Sequence, residues 1–131
     1  MAQPPVPEDL SELLARPNPA VIATLRPDGW PHTVATWYAW EDGRVLVNMD
    51  GSRARLAWMR EDPRVALTVF IGEGWHAHVS LRGRIASIEP DEDLADIDRL
   101  ARHYGGAPYP NRESPRVSAW IDVTSWHRWQ V

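Results

Sequence analysis

The segment Asn48-Met-Asp-Gly-Ser-Arg-Ala-Arg is where the residue types of this chain point most directly to chemistry. An apolar, strand-like run ends there, Gly51 lets the chain turn, and a helix opens. The first backbone N–H groups of a helix lack internal partners, so they and the helix dipole favour a bound anion. Arg53 and Arg55 bring two guanidinium forks to the same place. Arginine in a first helical turn opposes the helix's own dipole, so something negative is expected to bind. A plainer alternative keeps the segment structural, with Asp50 capping the helix and pairing with Arg53 while Arg55 is solvated.

Other chemistry-bearing residues are sparser. His76 and His78 fall on one face of a strand, a spacing that can bind metal, but no third ligand stands beside them in sequence and no metal site is expected. There is no Gly-x-Ser-x-Gly elbow to support a serine nucleophile. Asp91, Glu92 and Asp93 read as charges at a helix N-terminus rather than as an acid–base pair. Eight tryptophans stand against one phenylalanine, and some of them, Trp37 and Trp58 included, are expected to fill the core in its place. The others suit a flat aromatic pocket or a subunit interface, where a large apolar face with a single donor is favoured. Trp75 leads the pocket set, and Trp126 and Trp129 read as dimer or pocket-rim residues.

The elements that must position these residues follow from period and punctuation. Residues 1–7 carry Pro4, Pro5 and Pro7 and are expected to be disordered. Glu8 to Arg16 sets Leu10, Leu13 and Leu14 at helical spacing behind acids, and Pro17 and Pro19 end that short helix. Ala20 to Arg26 reads as a strand, Pro27-Asp28-Gly29 turns the chain, and His32 to Trp40 returns as its hairpin partner. Glu41-Asp42-Gly43 turns again into Arg44 to Met49, so three strands are expected to form a meander. Asp50 to Glu61 breaks the period of two and fits a helix of about three turns.

Arg64 to Ile71 is a further strand and Trp75 to Ile88 a long one, in which Trp75 shares a face with Val79 and His76 with His78. Gly83 marks a bulge. Pro90 to Tyr104 is a helix with a glycine stop. Val117 to Val123 is the last full strand, followed by a tail from Trp126 to Val131. Six or seven strands with few helices predict a mainly β fold, a small and mostly antiparallel barrel with helices covering it.

Composition bounds the function classes. At 131 residues, 44% apolar and 24% charged, the chain is expected to be one domain over residues 1–131. A net charge of -4 argues against a nucleic-acid partner. No apolar run approaches the roughly 18 residues of a membrane span, so no membrane partner is expected. The chain has no cysteine, which removes disulfides, thiolate metal sites and Cys nucleophiles. Met1 to Pro7 has neither the positive charge nor the apolar stretch of a secretory signal, which makes the cytoplasm the expected location. All 14 basic residues are arginine.

Three stretches together carry a family resemblance: Ala20-Val-Ile-Ala-Thr-Leu-Arg-Pro-Asp-Gly-Trp-Pro-His, then Gly43-Arg-Val-Leu-Val-Asn, then Arg53-Ala-Arg with Asp62-Pro-Arg-Val-Ala-Leu. With Arg82-Gly83-Arg84, this pattern resembles the pyridoxamine 5′-phosphate oxidase-like (PPOX class) flavin and deazaflavin oxidoreductases over about Leu10 to Val123. It is most similar to the actinobacterial branch that uses the deazaflavin coenzyme F-420. The resemblance implies an FMN-binding split barrel and a homodimer with the cofactor in a groove at the subunit interface. It implies that the phosphate-bearing tail contacts Asn48, Met49, Asp50, Ser52, Arg53 and Arg55. The ring system would rest on His32, Val34, Ala35 and Thr36 and against Trp75 and His78.

Arg55 stands where the family often has Lys, and the Asn common later in that helix falls at Ala57 or Trp58. The implied activity is hydride transfer from reduced F-420 to a conjugated small-molecule substrate, with no catalytic side chain assigned. The alternatives are an FMN-dependent oxidoreductase of the same fold, or a non-catalytic protein that binds a flavin, a deazaflavin or a tetrapyrrole.

Overall fold

Helix α1 (Glu8–Leu14) forms where Glu8 and Asp9 suit a first turn and where Leu10 and Leu14, four apart, bury on one face. Strand β1 (Ala20–Leu25) follows and buries Ala20, Ile22 and Thr24 in strict alternation. Asp28 then accepts a hydrogen bond from the Trp30 amide at 3.1 Å, and the turn delivers β2 (Pro31–Thr36) antiparallel to β1, with Ala20 opposite Thr36. These coordinates come from a computed structural model that describes residues 1–131.

The expected single strand His32 to Trp40 is two strands. β2 ends at Thr36, and β3 (Ala39–Glu41) pairs with β4 (Arg44–Asp50) rather than with β2. The strands are therefore not a meander. The sheet order is β2-β1-β5-β6-β7-β4-β3, where β5 is Arg64–Phe70, β6 is His78–Pro90 and β7 is Arg116–Trp129, and every pairing is antiparallel. In a flat sheet of this order the edge strands would stand about 29 Å apart. Yet Thr36 and Ala39 are three Cα steps apart, about 11 Å at most. The sheet must curl until its edges meet, which is the split barrel.

Tyr38 marks that seam. It is fully buried, its hydroxyl donates to the Leu14 carbonyl at 2.5 Å, and Asn18 donates to it at 3.0 Å. The barrel interior is filled by residues such as Ile22, Val47, Met49, Leu67, Val79 and Ile121, with α1 and α2 (Ala54–Glu61) contributing Leu10, Leu14, Leu56 and Met59. Helix α3 (Ala95–Gly105) lies outside this cluster, buries Ile97, Leu100 and Ala101, and contacts β7. It ends as its glycines predict, with Gly106 at φ 78° donating to the Arg102 carbonyl. No helix is long and apolar enough to cross a membrane.

Two strand boundaries differ from expectation. β6 starts at His78, because β5 supplies partners only as far as Phe70 and the loop before it turns on Gly72 and Gly74 at φ 74° and 91°. Trp75 and His76 are therefore outside the strand. β7 runs unbroken through the expected tail, since β6 pairs with it as far as Trp129. At the N-terminus, where disorder is expected, Ala2 and Trp126 exchange backbone hydrogen bonds at 2.9 Å.

Candidate functional site

An open cleft of about 580 Å³ lies where the end of β2, β4, α2, α3 and the segment entering β7 come together. On β4 the interior takes Val45, Val47 and Met49, and by alternation Asn48 faces outward into the cleft wall. Its amide is fully engaged. Asn48 Nδ2 donates to Asp91 Oδ2 at 3.1 Å and to Ser118 Oγ at 3.0 Å, and its Oδ1 accepts from Arg116 Nε at 3.0 Å. Asp91 in turn accepts the Asp96 and Ile97 amides at 3.1 and 2.9 Å, so the carboxylate expected to charge the start of α3 also anchors Asn48.

At the turn into α2, Asp50 does not cap the helix. Its Oδ1 accepts from the Ser52 hydroxyl at 2.6 Å and the Ser52 amide at 2.8 Å, and these bonds, with Arg116 and Arg53 further off, hold its carboxyl below the usual range. α2 begins after Arg53 with no side-chain cap and no acid in its first turn. Arg55, half-buried, makes no hydrogen bond or ion pair. Burial first, then the charges of Arg53 and Arg116, lowers its pKa. Arg116 lies over the Tyr109 ring at 4.9 Å and likewise lacks an ion pair. Two guanidiniums thus line one cleft without a carboxylate paired to either.

The rest of the lining is partly aromatic. Trp37 stacks on Tyr104 at 5.4 Å and 12°, and Tyr109 meets Trp37 edge-on at 6.3 Å. The Tyr104 hydroxyl donates to the Asn18 carbonyl at 2.7 Å and accepts the Tyr38 amide at 3.3 Å, and burial pushes its pKa up to about 12. Tyr109 is fixed by Asp98, which accepts its amide at 3.0 Å and the Arg112 guanidinium at 2.6 Å.

Of the residues singled out in the sequence, the structure brings Ala35, Thr36, Asn48 and Arg55 to this cleft. Asp50, Ser52 and Arg53 form the turn beside it. Met49 points instead into the barrel, 2% exposed, because it alternates with Asn48. Val34 packs against the core, and His32 stands edge-on to Trp58 at 5.4 Å, away from the cleft lining. Trp75 is 69% exposed on its loop, stacked on His76 at 4.2 Å. His78 Nδ1 is bonded to the His76 carbonyl at 2.7 Å and lies outside the lining.

Trp37, expected in the core, is 39% exposed in the cleft. Sequence reasoning missed Arg116, Tyr104 and Tyr109. The only available signal was the register that sets Arg116 opposite Asp50, which no local spacing reveals.

The closed seam and the cleft at the strand-to-helix turn define a split-barrel protein. The family model described as pyridoxamine 5′-phosphate oxidase matches residues 6–130, and the chain belongs to that family. It is similar to the solved structure of an F-420 reductase, with 29% identity and a TM-score of 0.83 over 93% of this chain and 98% of that one. It shares its fold with a FAD-binding protein from Mesorhizobium loti at 22% identity and TM-score 0.66, over 93% of this chain and 92% of that one. It also shares it with General Stress Protein 26 from Bacillus anthracis at 20% identity and TM-score 0.70, over 93% of this chain and 92% of that one. No curated protein matches the chain.

Proposed function

We propose that the protein is an F-420-dependent oxidoreductase whose cleft holds the phosphate-bearing part of the deazaflavin, and that it reduces a conjugated small-molecule acceptor. The observation that carries this reading is the pair Arg55 and Arg116, which share a partly buried cleft with no paired carboxylate. Like charges held together away from water favour a bound counter-charge, and the uncapped start of α2 favours the same sign. The residues fit an anionic cofactor. The 29% identity to an F-420 reductase favours F-420 over FMN, which is the alternative.

When bound, the reduced deazaflavin supplies the hydride. The chain's own residues bind and orient. Arg55 and Arg116 would hold the phosphate, and Asn48 would fix the direction of Arg116. Ala35 and Thr36 offer one side of the cleft, while Trp37 and Tyr104 would offer the ring a flat aromatic wall. Tyr104 is a poor proton donor, because its hydroxyl is already committed and its proton is firmly held.

Titration of the purified protein with F-420 and with FMN, followed by tryptophan quenching, tests the reading. F-420 binds more tightly if it is correct, and tighter FMN binding overturns it. Arg55→Ala weakens F-420 binding by about 1 to 3 kcal/mol, the range for hydrogen bonds to charged groups. An unchanged affinity would move the phosphate elsewhere. Turnover of reduced F-420 only in the presence of an acceptor separates an enzyme from a carrier.

The same reading makes the protein a homodimer with the cofactor at the subunit interface. Trp30, Trp75 and Trp129, at 71%, 69% and 52% exposure, are apolar faces that a second copy would cover. Light scattering then returns twice the 14.9 kDa chain mass, and a monomer contradicts it.

A further inference from the structure

β1 and β5 pair only as far as Ala23 and Ala66. Beyond that point Thr24 and Leu25 keep their bonds to β2, while Arg64 and Val65 of β5 have no partner on β1. The strands splay, and a second cleft of about 380 Å³ opens at the end of β1 away from the first. Its apolar lining includes Ala23, Leu25, Pro31 and Val65, and its charge comes from Arg64, Arg82 and Arg84. The combination is unlike the first cleft, whose lining is partly aromatic.

The three arginines are not equivalent. Arg64 is paired with Asp62 at 2.8 Å. Arg84 makes no ion pair, since Asp122 opposite it on β7 is bound to Arg44 at 2.8 Å, but Asp62 lies near enough to feel its charge. Arg82 lies between Ala66 and Ser125, and its guanidinium makes no hydrogen bond or ion pair. Thr24 lies at the floor of this cleft, but it alternates with Ala23 and Leu25 and faces the barrel interior with Ile22, whereas the exposed Arg82 faces outward between buried Leu81 and Gly83. Beside Arg82 the register shifts, leaving Thr124 as the extra residue of a bulge, and bulges re-aim neighbouring side chains. The bulge requires Gly83, since a Cβ there would meet the Asp122 carbonyl oxygen at 2.5 Å and Ile121 Cγ2 at 2.7 Å.

We propose that this second cleft binds a small amphipathic carboxylate, with its apolar body between the diverging strands and its carboxylate on Arg82. The directly opposed Arg64 and Arg84 add positive charge beside that head group, part of it offset by Asp62, which pairs with Arg64.

The test uses the full chain, labelled with ¹⁵N and titrated with octanoate. Octanoate is expected to shift the Ala66 and Gly83 amides saturably, while octanol and inorganic phosphate, each carrying half of the chemistry, do not. Arg82→Ala, which removes no bond within the chain, is expected to keep the melting temperature and to weaken octanoate by about tenfold or more. Arg82→Lys restores part of that loss. The proposal is overturned if octanoate gives no saturable shift, as would follow if a second copy covered this face. Equal affinity in Arg82→Ala, or shifts confined to Arg55 and Trp37, would overturn it too. Phosphate reproducing the octanoate shifts would mean a bare anion site and would end the amphipathic assignment.

Discussion

Asn48 and Arg55 face the same cleft and do opposite things there. Asn48 is buried and joins Asp91, Ser118 and Arg116 through three hydrogen bonds, so it contributes to the fold as well as to the site. Arg55 is half-buried beside like charges and joins nothing, so it contributes to the site at some cost to the fold. Asn48→Leu should therefore lower stability in urea unfolding by about 1 to 3 kcal/mol, because its partners lose bonds they cannot replace. Arg55→Ala should leave stability unchanged or raise it while weakening the cofactor. A drop in stability for Arg55→Ala equal to that for Asn48→Leu would mean that Arg55 is a structural residue. That both positions flank a strand-to-helix turn was legible in the sequence, because a helix start after a strand is a local event. Met49 could have been read correctly as well, since β4 alternates and Asn48 and Met49 cannot face the same way. Arg116, Tyr104 and Tyr109 reach the cleft only through the register of β4 on β7 and the docking of α3, and neither is written in any short window.

α3 and the loop after it form one element of the site. The helix was legible from its apolar spacing and the glycine stop, but it begins at Ala95 rather than at Pro90, because β6 runs on to Pro90 and pairs there with Val117. The attachment of the loop was not legible. Asp98 makes that attachment, and the Arg112 hydrogen bond, followed by the Tyr109 amide, holds its carboxyl below the ordinary range. A depressed folded-state pKa gives stability that is present above the unfolded value, about 3.9, and lost as pH falls through the folded one. The loop should accordingly stay docked at neutral pH and release Tyr109 only below about pH 4. The Tyr109 amide resonance should titrate with an apparent pKa under that value, and in Asp98→Asn it should not titrate there at all. A midpoint at pH 5 or above in the wild-type protein would show that another group controls the loop. Strand boundaries were less legible than the helix. Apolar alternation continues through Trp37 and through Trp75, so nothing in the pattern records that one strand changes sheet edge and the other loses its partner.

For the whole molecule, antiparallel barrel architecture was legible from strand spacing, but its closure was not. Closure depends on β2 and β3 lying at opposite edges of the sheet while being joined through Trp37 and Tyr38. Tyr38 links that seam to α1 through Leu14 and to the cleft through Tyr104, whose hydroxyl accepts its amide. Removing the Tyr38 hydroxyl leaves the Leu14 carbonyl and one Asn18 hydrogen without their partner, so Tyr38→Phe should cost about 1 to 3 kcal/mol. The seam also makes the fold sensitive to alkali. Burial raises the pKa of both Tyr38 and Tyr104, the latter to about 12, so the folded chain holds protons that the unfolded chain releases near pH 10. Raised values give stability that is complete below the unfolded pKa and lost as pH rises through the folded one. Urea midpoints measured from pH 9 upward should fall steeply above pH 10 in the wild-type protein. In Tyr38→Phe they should start lower and fall less steeply, because one of the two buried phenols no longer takes part. Parallel slopes for the two proteins would mean that Tyr38 does not titrate with unfolding, and that the seam is held by packing alone.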